Sequence, residues 1–129
     1  MNSRILAVDP GDARIGLALS DPTRTIARPL KVIRHQSRRI NAERILDIAI
    51  EHEASLILVG VPYDLEGLIG PQGRKSIRLV EELRHLGSLP VETWDESGST
   101  QTAAASGQDD LDARAAAGFL QEYLNVLQD

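Results

Sequence analysis

The sequence predicts an α/β fold: a five-stranded mixed sheet, order 3-2-1-4-5, flanked by helices. Three observations carry this. Three extended apolar runs follow one another up to Ile33 with only turns between them, which suits an antiparallel meander. Leu56-Ile57-Leu58-Val59 is apolar without alternation, as in a strand buried on both faces. Helical and extended patterns then alternate, which requires parallel neighbours and right-handed crossovers.

Taken in order, Ile5 to Val8 is the first strand, and it ends in Asp9. A carboxylate at a strand end is far cheaper to ionise than one in the interior. The plain alternative is an acid in a hairpin turn, which Gly11 makes tight. In the second strand Ile15, Leu17 and Leu19 alternate with Gly16, Ala18 and Ser20. Gly16 leaves that strand flat, so a ligand or another backbone can come close. The third strand, Ile26 to Ile33, contains Pro29, which cannot donate to a ladder and belongs at a sheet edge. Ser37 caps a helix to about Glu53, whose stripe is Ile45, Ile48 and Ala49 with Leu46 flanking. After the Leu56–Val59 strand, Gly60-Val61-Pro62 leads into a loop with Gly67, Gly70, Pro71 and Gly73. A helix from Lys75 to Leu86 turns Ile77, Val80, Leu83 and Leu86 inward and stops at Gly87. Val91 to Trp94 is the fifth strand, ending in Asp95-Glu96. Ser97 to Gly107 is small and polar. Asp109 and Asp110 are the expected caps of a final helix from about Leu111 to Leu127.

With strand three at an edge, strand four must join beside strand one. Strands one, four and five then run parallel and share one carboxyl rim, where open α/β sheets place their sites. Asp9 and Asp95-Glu96 meet there. At about 100° per residue, Asp112 projects with Ala116, Phe119 and Tyr123, on the face turned to the sheet. Helix capping is the competing role for Asp112. Three carboxylates without a thiolate suit a hard cation such as Mg²⁺ or Mn²⁺, and such ions support phosphodiester hydrolysis. His35, His52 and His85 are expected away from that rim.

The chain has 129 residues, 42% of them apolar, enough for one core. It has no cysteine, which excludes a disulfide scaffold and suits a reducing cytoplasm. The N-terminus does not read as a signal peptide, and no apolar run is long enough to span a membrane. The net charge is −5, yet seven basic residues stand between Arg24 and Arg44 against Glu43 alone. Such a strip can meet phosphates locally or serve only as a solvated face. Phe119, Trp94, Tyr63 and Tyr123 are the only aromatics, too few for a base-stacking platform.

Asp9-Pro10-Gly11 with Arg14-Ile15-Gly16-Leu17-Ala18, Val59-Gly60-Val61-Pro62 with Gly67, Asp95-Glu96 with Thr100, and Asp112 with Ala115-Ala116 and Leu120-Gln121-Glu122-Tyr123-Leu124 together resemble the YqgF/RuvX family. Its members are RNase H-like, described as Holliday junction resolvase-like and as nucleases of pre-16S ribosomal RNA. The resemblance runs in register over almost the whole chain and implies one such domain over residues 1–129. It implies that Asp9, Glu96 and Asp112 are the catalytic acids and ligands of Mg²⁺ or Mn²⁺. It also implies cytoplasmic maturation of the 5′ end of the precursor RNA. Arg14, Arg34, Arg38, Arg39, Arg74 and Lys75 are the candidate phosphate contacts.

Two departures stand out. The family usually has arginine after the Asp-Glu pair, where this chain has Ser97, followed by Gly98. The family's longer basic arm is shortened here to Gln101–Leu111. Loss of that cation weakens the hold on a scissile phosphate. The rival functions are a DNA junction resolvase, expected as a dimer where an RNA enzyme is a monomer or homodimer, and a binding module without catalysis. An ATPase of the sugar-kinase type would need a second Asp-Gly loop in a second lobe, which this sequence does not have.

Overall fold

The computed structural model describes residues 3–96 and 108–128. Its sheet has the order β3-β2-β1-β4-β5, as expected. β1 (Arg4–Asp9) pairs antiparallel with β2 (Arg14–Ser20) and parallel with β4 (Ala54–Val61). β3 (Ala27–Arg34) pairs with β2 at one edge, and β5 (Val91–Asp95) with β4 at the other. The β2–β3 register passes from Leu17↔Lys31 to Ala18↔Pro29, so Leu30 is an extra residue beside Pro29 on the edge strand.

Strand alternation divides the core between the two faces of the sheet. Leu6 and Val8 face one way, with Ile15, Leu17, Ile57 and Val59, onto helices α1 (Arg38–Glu51) and α2 (Pro71–Leu86). Ile5 and Ala7 face the other way, with Ala18, Leu56 and Leu58, onto Ala116, Phe119, Leu120 and Leu124 of helix α3 (Gln108–Gln128). β4 is hydrogen-bonded on both sides and covered on both faces, which explains its unbroken apolar run.

The helices begin where local chemistry allows. Ser37 caps α1 by accepting from the Ile40 amide at 3.2 Å. α2 starts at Pro71 instead of Lys75, because proline is suited to a first helical position. Its buried row is Ser76, Leu79, Val80 and Leu83, so Leu79 replaces Ile77 as the inward residue. Ile77 and Leu86 are half-buried at its margins. Gly87 ends α2 in the left-handed conformation, φ 76°, and donates to the Leu83 carbonyl. α3 begins at Gln108, so Asp109 and Asp110 lie inside its first turn and are not its caps. Acids are favourable there as well, by the helix dipole.

Candidate active site at the carboxyl rim

β1, β4 and β5 end together. Asp9 closes β1 opposite Gly16 of β2. Glu96 follows β5, and its amide donates to the Val61 carbonyl at 3.2 Å, which fixes it at the end of β4. Gly60 lies beneath its side chain. A Cβ at Gly60 would stand 2.5 Å from Glu96 Oε2 and 2.8 Å from the Phe119 ring. Gly16 makes a corresponding opening for α3: a Cβ there would collide with the Asp112 carbonyl. The close approach expected at Gly16 is therefore made by another backbone. Asp9, Gly16 and Gly60 share the α3 side of the sheet with Ala7, Ala18 and Leu58.

These backbone contacts bring the three expected acids together. Asp9 and Glu96 are hydrogen-bonded through their side chains. Burial raises Asp9 to about 6, with the Asp112 charge adding to the rise and the Glu96 hydrogen bond opposing it. Glu96 is pushed up to about 8, first by burial, then by the charge of Asp9. Burial and mutual repulsion thus favour a proton kept between the two carboxyls. Asp112 is the fifth residue of α3, too far inside to cap it. Nor does its carboxylate face the other acids without relief, because Arg14 Nε donates to Asp112 Oδ2 at 2.9 Å. Among the described residues no three acidic or imidazole side chains are set to hold a metal as they stand. The donor set does fit a hard cation. It offers only oxygens, and two of its carboxyls keep a proton between them in the absence of opposing charge.

The expected phosphate contacts divide. Arg14 and Arg34 face each other across the β2–β3 ladder at the same rim as Asp9. Arg38 opens α1 just beyond, and Lys75 reaches Asp12 in the β1–β2 turn at 2.7 Å. Arg39 is exposed and pairs with Glu43 at 3.4 Å, and Arg74 is exposed on α2. The basic strip is not one surface. Arg24 lies near the opposite end of the sheet, has φ 58°, and binds Ser3 and Ser55. Its role there is structural.

His35 is at the rim, contrary to the sequence expectation. Its amide donates to the Ala13 carbonyl at 2.9 Å, and its Nδ1 is 3.0 Å from Asn41 Nδ2. The signal was available in the topology, since an antiparallel β3 must end where β1 ends. Sequence reasoning also passed over Asn41, Gln72 and Arg78, which surround the turn after Asp9. Ser97, Gly98, Thr100 and the shortened arm up to Gly107 lie outside the described residues. Among the described residues no helix is long and apolar enough to cross a membrane.

The RuvX family model, described as Holliday junction resolvase, matches residues 3–126. A protein of Thermoanaerobacter pseudethanolicus named "Putative pre-16S rRNA nuclease" is 38% identical over 133 residues, covering 95% of this chain and 96% of that one. One of the same name from Roseiflexus sp. is 41% identical over 100 residues, covering 78% and 71%. Among solved structures, T. thermophilus RuvC in complex with a Holliday junction substrate superposes with TM-score 0.63 at 14% identity, covering 98% and 96%. The Fowlpox virus resolvase gives 0.57 at 10% identity, covering 98% and 99%. The shared architecture is RNase H-like.

Proposed function

This chain belongs to the RuvX family, and from that premise we propose that it is a metal-dependent endonuclease acting on structured RNA, cutting at the 5′ end of pre-16S ribosomal RNA. One observation carries the reading: Asp9 and Glu96 are hydrogen-bonded through their side chains at the carboxyl rim while Gly16 lets α3 bring Asp112 toward them. Such a cluster is costly without a cation to oppose it. In this reading residues 1–129 act as one unit in the cytoplasm, as a monomer or homodimer.

Asp9, Glu96 and Asp112 are the ligands we assign to Mg²⁺ or Mn²⁺. Held by these carboxylates, such an ion would supply Lewis-acid chemistry for phosphodiester hydrolysis. To serve as ligands, the Asp9–Glu96 pair would give up a proton, which would tie metal binding to proton release. Arg14 holds Asp112 at the rim and would compete with a cation for its carboxylate. Arg14 stands at the rim, where its fork of donors would suit a phosphate. Arg34, Arg38 and Lys75 extend positive charge from there along the rim.

The test is cleavage of a precursor RNA containing the 5′ leader, with Mn²⁺ and with EDTA, by the parent and Asp9→Asn. Metal-dependent cutting by the parent alone supports the reading. Cutting of a four-way DNA junction but not the RNA favours the second reading, a junction resolvase, to which the family's description points. Binding without cutting of either leaves the chain a binding module.

A further inference from the structure

A pocket of about 320 Å³ opens on the other face of the sheet from the acids, where the Pro10-Gly11-Asp12 turn meets the first turns of α1 and α2. Its charge is unbalanced. Arg38, Lys75 and Arg78 line it, with Asp12 as the opposing carboxylate. Lys75 neutralises Asp12 at 2.7 Å and holds its carboxyl below the usual range. Among the described residues, neither Arg38 nor Arg78 is in an ion pair.

The helix starts point the same way. Arg38 and Asn41 lie in the first turn of α1, and Gln72 and Lys75 at the start of α2. Helix N-termini favour negative charge, and acids are commonly placed there. Neither α1 nor α2 has an acid in its first turn. Gly70, before α2, has no side chain with which to cap it, so the first amides of α2 lack a side-chain acceptor. The polar groups beneath are fixed: Asn41 is buried and bonded to the Gln36 amide, and Gln72 donates to the Pro10 carbonyl at 3.0 Å.

We infer that this pocket binds a phosphate group of the nucleic-acid strand. The inference rests on the nucleic-acid reading above and adds a second anchor to it. Asp9 and the pocket flank one turn, since Pro10 directly follows Asp9. A strand crossing that turn places one phosphate at the acids and another between Arg38 and Arg78. The pocket then sets how far along the strand the cut falls.

Binding is measured in EDTA, so that it does not depend on cleavage. The probes are inorganic phosphate and one RNA oligonucleotide made with a 5′-phosphate and with a 5′-hydroxyl. The double variant Arg38→Gln, Arg78→Gln changes exposed side chains only, and its urea midpoint should match the parent's. The expected result is a loss of about tenfold or more in oligonucleotide affinity, with the slope against log salt reduced by about one per phosphate released. In the parent, the side-chain amide signals of Asn41 and Gln72 should shift on binding. Equal loss for both oligonucleotides identifies an internal phosphate, and loss confined to the 5′-phosphorylated one identifies a terminal phosphate. Parent-like oligonucleotide affinity in the double variant overturns the inference. So does a pocket that takes inorganic phosphate while ignoring both oligonucleotides. Failure of the parent to cleave RNA with Mn²⁺ counts against the nuclease reading alone and leaves this measurement intact.

Discussion

The backbone carbonyl of Asp112 lies over Gly16, at the spot a side chain would occupy. Gly16 is also the ladder partner of Asp9. One glycine thus sets how near the third acid stands to the first. Gly16→Ala should push α3 away from β2, destabilise the fold by about 1–3 kcal/mol, and weaken Mn²⁺ binding. Urea unfolding and calorimetric titration check both. Wild-type stability in the variant would mean that α3 does not depend on this contact.

Stability in the metal-free protein should fall as pH rises. Glu96 has a folded value of about 8 against an ordinary 4.5, and Asp9 about 6 against 3.8. The folded state therefore holds protons that the unfolded chain releases between roughly pH 4 and pH 8. Their stabilisation is complete below that window and lost above it. The urea midpoint in EDTA should be higher at pH 5 than at pH 8.5. Glu96→Gln keeps a donor toward Asp9 but cannot ionise, so the decline above pH 6 should flatten. An unchanged slope would place the shared proton elsewhere.

Adding Mn²⁺ should raise the melting temperature of the parent at pH 8, since a ligand that binds only the folded chain stabilises it, by about 2.7 kcal/mol at a hundredfold excess over Kd. Asp9→Asn should lose both that rise and cleavage. A full shift in Asp9→Asn would remove Asp9 from the ligand set.

Arg14→Gln separates the two roles given to Arg14. Its bond to Asp112 is partly exposed, so metal-free stability should change by less than about 1 kcal/mol. Mn²⁺ should bind more tightly, because the Arg14 guanidinium no longer competes for Asp112. RNA affinity should drop. If Mn²⁺ affinity falls instead, Arg14 positions Asp112 for the metal and does not compete with it.

The sheet was legible because its signals are local and strong. Leu56 to Val59 suited an interior strand and Pro29 an edge, and both stand where expected. That order put Asp9 and the Asp95-Glu96 pair at one rim, and the choice of Glu96 within the pair came from the family resemblance. Features decided by distant partners were not legible. Arg14 and Asp112 are 98 residues apart, so their bond could not be read from either neighbourhood. His35 was different: the meander topology already put the end of the third strand at that rim, although the residue was expected elsewhere. The start of α3 was misjudged because Asp109 and Asp110 suit a cap and a first turn equally. Arg24 read as part of a basic surface, but its left-handed backbone turns it toward Ser3 and Ser55.

The bulge at Leu30 bears on how copies of the chain can associate. An open strand edge invites pairing with a neighbour's edge. On β3, Pro29 supplies no amide, and the extra residue beside it breaks the spacing a second strand would have to match. Arg28 and Lys31 flank that break with positive charge, so two copies brought edge to edge would set like charges against each other. Two such chains cannot readily merge their sheets through β3, and among the described strands the short β5 is the edge left open to pairing.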